Sequence, residues 1–297
     1  MNPLRRAFLS LLVLSAFSVF SSAAFAVSPL KALILDGQNN HHWQITTPHL
    51  KKILEETNLF QVDVATAPPK GGDMSTFRPN FSDYRVVISN YTGDAWSAET
   101  RTAFVDYVRS GGGYVVVHSA SNAFPDWKEY NEICGLGGWE GRDERWGPWV
   151  YWDNKIIRDA SPGRGGDHGA VHAFLVAARE PDHPIMRGLP QAWLHAADEL
   201  YNRLRGPAEN LTVLATAFDD PAINGSGRHE PILFTVTYGQ GRVFHTPLGH
   251  VRNGNLTAMR SVAFIVTLQR GTEWAATGEV TQSIPPDFPT VESYSLR

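Results

Sequence analysis

The amino-acid sequence predicts an α/β fold, a three-layer sandwich with a mostly parallel sheet and one antiparallel hairpin. Short apolar runs at residues 31–36 (KALILD), 84–90 (YRVVISN) and 114–118 (YVVVH) alternate with segments of helical periodicity. Such alternation is typical of right-handed βαβ units, whose helices cover both faces of a parallel sheet. Residues 232–238 and 242–247 flank a Gly-Gln-Gly turn, which predicts the hairpin. The 297 residues, 42% of them hydrophobic, are enough to bury a full core.

The first two predicted helices lie between the apolar strands. Thr47 is predicted to cap the first helix, with Pro48 at its first helical position. Residues 60–65 then alternate in polarity, which predicts a second strand. Ser97 is predicted to cap the next helix, and the glycines at 111–113 are predicted to end it.

The second half of the chain has a weaker pattern. Residues 120–168 are rich in glycine and tryptophan and predict long loops. A last helix is predicted over residues 255–270, with an irregular tail from Gly271 onward. Short strands are also expected near Phe174, Glu199 and Leu211.

Residues 1–26 have the organisation of a secretory signal peptide. Arg5 and Arg6 precede the apolar residues 7–20, and Ala24-Phe25-Ala26 forms a small-residue cleavage site. The alternative is a membrane anchor, but this run is shorter than the roughly 20 residues that span a bilayer. The arginine pair also resembles a twin-arginine export signal, although the very apolar run favours ordinary secretion. We expect cleavage after Ala26, no membrane segment afterwards, and a periplasmic or secreted protein.

Composition excludes several classes of protein. The 26 Lys and Arg against 30 Asp and Glu give no basic surface for nucleic acid. Cys134 is the single cysteine, so no intrachain disulfide can form. The sequence lacks Gly-x-Ser-x-Gly and both glycine-rich nucleotide motifs, which argues against a serine hydrolase and a tightly held nucleotide.

Histidines follow three of the predicted strands. His41 follows the first strand, His118 ends YVVVH, and His250 follows the hairpin. Ligands of open α/β sheets bind at the carboxyl ends of the strands, and imidazole is suited to proton transfer near neutral pH. The sequence therefore predicts a shared site, although a random scatter of histidines would also place some there. Further substrate-binding candidates at these ends, besides His41, are Asn40, Trp43, Tyr91 and Ser119.

The segment HAADELY (195–201) contains the acidic pair that we expect to join this site. Glu199 is a candidate acid or base, while Asp198 and Tyr201 are candidates for substrate binding. The alternative is that these carboxylates form salt bridges with Arg203 or Arg205. The sequence favours this alternative for Asp198 and leaves both interpretations open for Glu199.

Two further patterns permit a functional and a structural interpretation. His168 and His172 stand four residues apart, a zinc-like spacing on a helix, but the surrounding glycines favour a loop. Five of the nine tryptophans lie between Trp127 and Trp152. Tryptophan offers a flat apolar face to a sugar ring, but it equally packs long loops.

Several motifs together resemble the trehalose-utilisation, or ThuA-like, family of the class I glutamine amidotransferase-like superfamily. They cover nearly the whole chain after residue 26, and their combination is more specific than any one of them. The matching segments are GQNNHHW (37–43), GGGYVVVHSASN (111–122), DHPI (182–185) with GLP (188–190), DELY (198–201), YGQGR (238–242), LGH (248–250) and RGTEWAATG (270–278).

This resemblance implies a flavodoxin-like fold over residues 27–278, an irregular tail over 279–297, and a role in carbohydrate catabolism beside a sugar oxidoreductase. In glutamine amidotransferases a cysteine follows the corresponding strand, whereas His118 is found here. Amidotransfer through a thiolate is therefore not expected. The later catalytic histidine of the superfamily resembles His250.

Three functions remain open from the sequence. The first is a hydrolase, lyase or isomerase acting on a sugar, glycoside or keto-sugar, with proton transfer by His118, His250 and Glu199. The second is a metal-dependent sugar hydrolase with a divalent ion such as zinc held by His41, His118 and His250. The third is a carbohydrate-binding protein without turnover, in which tryptophans contact the sugar.

Overall fold

The computed structural model describes residues 28–297, so the predicted signal peptide lies outside the described residues. No helix in this part of the chain is long and apolar enough to cross a membrane. The strands are β1 (Leu30–Asp36), β2 (Phe60–Thr66), β3 (Val86–Ser89), β4 (Gly113–Val117), β5 (Trp149–Trp152), β6 (Ile156–Asp159), β7 (Asp167–His168), β8 (His172–Ala178), β9 (Ala192–Asp198), β10 (Tyr201–Asn202), β11 (Leu211–Phe218), β12 (His229–Tyr238) and β13 (Gly241–Thr246). The helices are α1 (Trp43–Glu55), α2 (Ala98–Arg109), α3 (Lys128–Cys134), α4 (Thr257–Arg260) and α5 (Val262–Thr277).

The main sheet has a parallel half and an antiparallel half. Its strand order is β2-β1-β3-β4-β13-β12-β11-β8-β9. The pairings from β2 to β13 are parallel, and those from β13 to β9 are antiparallel. The predicted hairpin is β12 and β13, and it joins the two halves. The predicted α/β class with a mostly parallel sheet and an antiparallel hairpin is therefore confirmed.

Two apolar layers cover the parallel half. One contains Leu50 of α1 and Phe264 of α5, and the other contains Phe104 of α2 and Ile133 of α3. The strands between them are buried on both faces, which explains why their sequences are continuous apolar runs. Helices on both faces of the sheet give the three-layer sandwich.

The start of the first helix differs from the prediction, whereas that of the second agrees with it. α1 begins at Trp43 rather than after Thr47, because the amides of Ile45 and Thr46 both bond to the His42 carbonyl and start the helix earlier. Thr47 does not cap; its hydroxyl accepts a hydrogen bond from the Asn90 side chain at 3.0 Å. Ser97 does cap α2, as predicted, by accepting from the Thr100 amide.

The last predicted helix is divided and longer than expected. Ser261 has an extended conformation between α4 and α5, where it forms a β-bridge with Leu296. α5 then continues to Thr277, beyond the predicted end at Arg270. Gly271 was expected to begin the tail but lies inside the helix, because its missing side chain makes room for the ring of Phe244. Residues 278–297 form no helix or strand.

Candidate active site

Three parallel strands deliver histidines to one edge of the sheet. His41 lies between β1 and α1, His118 follows β4 directly, and His250 follows β13. β4 and β13 are paired in register up to Val117 and Thr246, which brings their following residues together. The ring centroids of His41, His118 and His250 lie 4.5, 4.9 and 5.3 Å apart. The three predicted histidines therefore form one cluster.

The antiparallel half adds a carboxylate to this cluster. Glu199 follows β9, and its Oε2 lies 3.0 Å from Nδ1 of His250 and 3.8 Å from Nε2 of His118. Its Oε1 lies 3.5 Å from Nε2 of His168, on β7. Among the described residues Glu199 pairs with histidines and not with Arg203 or Arg205.

The hydrogen bonds of His118 fix the orientation of its ring. Its Nδ1 lies 2.7 Å from the carbonyl oxygen of Pro247, so Nδ1 carries the proton and donates. The Nε2 lone pair then accepts from the hydroxyl of Tyr201 at 3.2 Å and faces His250 at 3.3 Å. His118 is thus an acceptor toward the centre of the cluster. Nε2 of His250 is buried and has no hydrogen-bond partner within residues 28–297.

Burial sets the protonation of the cluster. It lowers the pKa of His41 to about 4, with a contribution from nearby His250, and lowers the pKa of His118 well below its ordinary value. Burial opposes ionisation of Glu199, but the hydrogen bond from His250 and the neighbouring imidazoles outweigh it and lower the pKa of this carboxyl. Burial raises the pKa of Tyr201 well above its ordinary value. At neutral pH the cluster therefore has an ionised carboxylate, neutral rings of His41 and His118, and a protonated tyrosine.

Asp198 holds the backbone of the segments that carry Glu199 and His250. Its carboxylate is fully buried and accepts hydrogen bonds from Nε2 of His195 and from three backbone amides, those of Glu199, Gly249 and His250. The structure therefore turns Asp198, a predicted substrate-binding residue, toward the backbone of the site and not toward the cavity. Among residues 28–297 the alternative salt bridge to Arg203 or Arg205 is also not formed, because His195 and the three amides take up the Asp198 carboxylate.

The cluster faces a cavity of about 600 Å³, a volume within the usual range for small-molecule sites. Trp139 lies over Tyr201, with ring centroids 4.5 Å apart, and forms an aromatic wall beside His168. A second cavity of about 610 Å³ adjoins the first and is lined by Trp43. Asn40, Lys70, Thr92, Asn122 and Glu140 line both cavities.

Backbone strain is concentrated around this cleft. His42, His118, Trp139 and Glu140 have φ values of 53, 47, 56 and 47° in the left-handed region. This region costs an ordinary residue about 1 kcal/mol or more, and such strain is common at functional sites. At His118 it produces the sharp turn from β4 into a 3₁₀ helix (His118–Asn122) that points the ring at the cluster.

Two other predicted residues lie outside the cleft. Tyr91 is fully buried, stacks on Phe124, and donates its hydroxyl to the carbonyl of Asp94. Ser119 is buried and donates to the side chain of Asn39. The strand-end rule located both correctly along the chain, but it does not give the direction of a side chain, and both point into the protein.

The sequence did not identify two residues of the cleft as members of this site. His168 was considered only with His172 as a helical pair, but both lie on strands, and His172 bonds instead to the carbonyl of Ala170. Trp139 was one of five similar tryptophans, of which Trp127 packs in the core. No local signal separates Trp139 from the others, because its place depends on contacts with the distant Tyr201.

The single thiol takes no part in this site. Cys134 is buried, and burial raises the pKa of its thiol to about 12. A thiolate is the reactive form of cysteine, so no thiolate nucleophile is present at neutral pH. His118 occupies the strained turn after β4 instead.

The fold and this site define a flavodoxin-like α/β protein with a three-histidine, one-glutamate centre at the carboxyl edge of its sheet. A family model described as "Trehalose utilisation" (ThuA) matches residues 31–275. The chain belongs to this family, as its motifs predicted.

Solved structures agree with this assignment. A ThuA-like protein from Parabacteroides merdae is 50% identical, with a TM-score of 0.89 over 91% of this chain and 98% of its own. A ThuA-like protein from Bacteroides uniformis is 19% identical, with a TM-score of 0.56 over 88% and 96% of the two chains, and shares the fold. A cytoplasmic protein of Salmonella typhimurium, 14% identical, has a TM-score of 0.50 over 85% and 100%. No curated protein matches the chain.

Proposed function

We propose that the protein is an exported enzyme of carbohydrate catabolism that moves a proton on a sugar, glycoside or keto-sugar. The observation that carries this proposal is Glu199, an ionised carboxylate buried among histidines at the wall of an open cavity. A buried carboxylate with an adjacent hydrogen-bond network is suited to general acid–base catalysis. The family description, trehalose utilisation, supports a sugar as the substrate.

The lining of the cavity supports the same substrate class. Trp139 and Tyr201 provide flat apolar surface, and Asn40, Asn122 and Glu140 provide polar groups around it. Sugars have apolar ring faces and hydroxyl edges, so they bind to such mixed surfaces. A keto-sugar would come from a sugar oxidoreductase, the class of enzyme that produces a carbonyl from a sugar hydroxyl.

The arrangement suggests a first step for a keto-sugar. Glu199 would accept the proton from the carbon next to the carbonyl, and the electron pair would move to the carbonyl oxygen as an enolate. Both isomerisation and elimination begin with this step. At neutral pH His118 presents a lone pair to the cluster and therefore cannot donate a proton there. We accordingly assign it to holding the centre and not to proton donation.

The test is proton exchange in D₂O. The protein is incubated with 3-keto derivatives of trehalose and methyl glucoside, and exchange of the protons next to the carbonyl is followed by NMR. We expect Glu199→Gln to slow exchange by about 10²- to 10⁴-fold, because general base catalysis contributes this much. Glu180→Gln, which changes an exposed carboxylate elsewhere, is the matched control. Equal rates in both variants would contradict the role of Glu199.

The second candidate function is sugar binding without turnover, favoured by the aromatic wall of Trp139 and Tyr201. It predicts no exchange with any keto-sugar, but saturable trehalose binding by calorimetry that Trp139→Ala weakens. Unchanged trehalose binding in Glu199→Gln would then support sugar binding without turnover.

A further inference from the structure

The centre of the cluster brings three imidazole rings and one carboxylate together, and these are groups that bind transition metals. Nδ1 of His118 donates to the carbonyl of Pro247, so its Nε2 directs a lone pair to the centre, where Oε2 of Glu199 and one ring nitrogen each of His41 and His250 also lie. We propose that this centre binds a divalent transition-metal ion of the zinc type, with His41, His118 and His250 as ligands and Glu199 as the fourth. The proposal concerns ion binding and stands independently of the reaction that the site catalyses.

The distances in the cluster fit a metal centre. One nitrogen of each of the three rings lies within 4.8 Å of the other two. Zinc–nitrogen bonds of about 2.0–2.1 Å in a tetrahedron place neighbouring ligand atoms about 3.3 Å apart. Nε2 of His118 and Nδ1 of His250 are 3.3 Å apart, and Oε2 of Glu199 lies 3.8 Å from the former and 3.0 Å from the latter. Small movements of side chains would complete the tetrahedron.

The outer contacts also resemble those of metal sites. Metal-bound histidines commonly donate their second nitrogen to a backbone carbonyl, which fixes the ring and directs the other lone pair to the ion. His118 does this with Pro247 at 2.7 Å. The backbone amide of His41 is held by Asn39 at 2.8 Å, and that of His250 is held by Asp198 at 3.0 Å. The ring of His118 and the backbones of His41 and His250 are thus positioned before any ion binds.

The ligand atoms select the class of ion. Three imidazole nitrogens suit zinc and its transition-metal neighbours, whereas magnesium and calcium prefer oxygen ligands. With three histidines and one carboxylate, the bound ion would also lie at the wall of the cavity. There it could polarise a carbonyl oxygen of a sugar.

The experiment uses protein without a histidine tag, stripped with a chelator and titrated with Zn²⁺ against a chromophoric competitor. Co²⁺ titration, followed by visible absorption, reports the coordination directly. We expect one ion per chain, and at least about 100-fold weaker binding in His41→Ala, since even outer-shell changes cost 10- to 100-fold. His41 is half-buried, so its removal is compatible with folding. His172→Ala, outside the cluster, is the matched control.

The outcomes separate this proposal from the proposed function. Equal affinity in the wild type and His41→Ala, or an equal loss in His172→Ala, would overturn the metal site. If His250→Ala is folded, it should also lose the Co²⁺ spectrum, and an unchanged spectrum would overturn its role as a ligand. Proton exchange that depends on Glu199 without ion binding would reject only the metal site. Stoichiometric ion binding without any exchange would reject only the proposed reaction.

Discussion

At the scale of single residues, the buried carboxylates differ in the groups that surround them. Four groups donate hydrogen bonds to the carboxylate of Asp198, whereas histidines contact that of Glu199. Within the described part of the chain, Glu230 accepts hydrogen bonds only from the hydroxyl of Ser226 and the amide of Arg203, and it lies near Asp219. Burial, with the repulsion from Asp219, raises the pKa of Glu230 to about 7.

We expect Glu230 to make stability depend on pH. A raised pKa means that the folded protein binds this proton more tightly than the unfolded chain. The stabilisation is fully present below the ordinary pKa of 4.5 and is lost as pH rises through about 7. Its total is on the order of 3 kcal/mol, because one pKa unit corresponds to about 1.4 kcal/mol.

Chemical denaturation of Glu230→Gln at several pH values tests this expectation. Gln keeps the shape of the protonated acid but cannot ionise, so the variant should lose the fall in unfolding free energy between pH 4.5 and 7. Glu209→Gln, at an exposed position, should keep it. Parallel stability curves for the wild type and Glu230→Gln would show that this carboxyl does not cause the slope.

The residue scale also shows what the sequence could predict about the site. Strand ends and family motifs both point to His41, His118, His250 and Glu199, and the fold brings these four side chains together. Tyr91 was chosen by the same strand-end rule but points into the core. The rule gives the position of a residue along the chain, and only packing decides where its side chain points.

At the scale of elements, α5 packs closely against β13 at Gly271. A Cβ atom at this position would lie 2.1 Å from the ring of Phe244. In an exposed helix, replacing glycine by alanine stabilises by about 1 kcal/mol. We expect Gly271→Ala to destabilise instead, by about 1–3 kcal/mol, because the added methyl overpacks the interface.

Unfolding in urea measures this effect. The double variant Gly271→Ala, Phe244→Leu is compared with Phe244→Leu alone, where the smaller side chain leaves room for the methyl. The alanine should cost less in that background, or become favourable. If Gly271→Ala stabilised the otherwise unchanged protein, the close packing of α5 on β13 would be refuted.

Elements with local signals were predicted well, and those fixed by distant contacts were not. The parallel strands are continuous apolar runs, and Ser97 caps its helix within three residues. The break at Ser261 has no such local cause, because it depends on the bridge to Leu296 and a hydrogen bond to His195. The antiparallel strands were located only approximately, since their register is set across the sheet and not along the sequence.

At the scale of the whole molecule, the tail is tied to the domain by buried charges. Arg270 donates to four backbone carbonyls, including that of Gln282. Glu273 accepts hydrogen bonds from the backbone amides and side chains of Thr281 and Gln282. The sequence predicted an irregular tail, but not that two helical charges would hold its beginning.

Export is a prediction about the whole chain. Residues 1–26 predict a cleavable signal peptide, so the mature protein should begin at Val27 and be found in the periplasm or medium. N-terminal sequencing of the fractionated protein measures this directly. Substituting Ala24 and Ala26 with bulky residues should block cleavage and leave the longer chain. An intact N-terminus in the cytoplasmic fraction of normal cells would contradict the prediction.

The centre takes its ligands and acid from both halves of the sheet. His41 and His118 come from the parallel half, and Glu199 comes from beyond the antiparallel edge. Asp198 joins them by holding the amides of Gly249 and His250. A partly folded chain therefore contains the residues but not the centre. If the chain crosses a membrane unfolded, as a secretory signal would direct, the centre forms only after transport is complete.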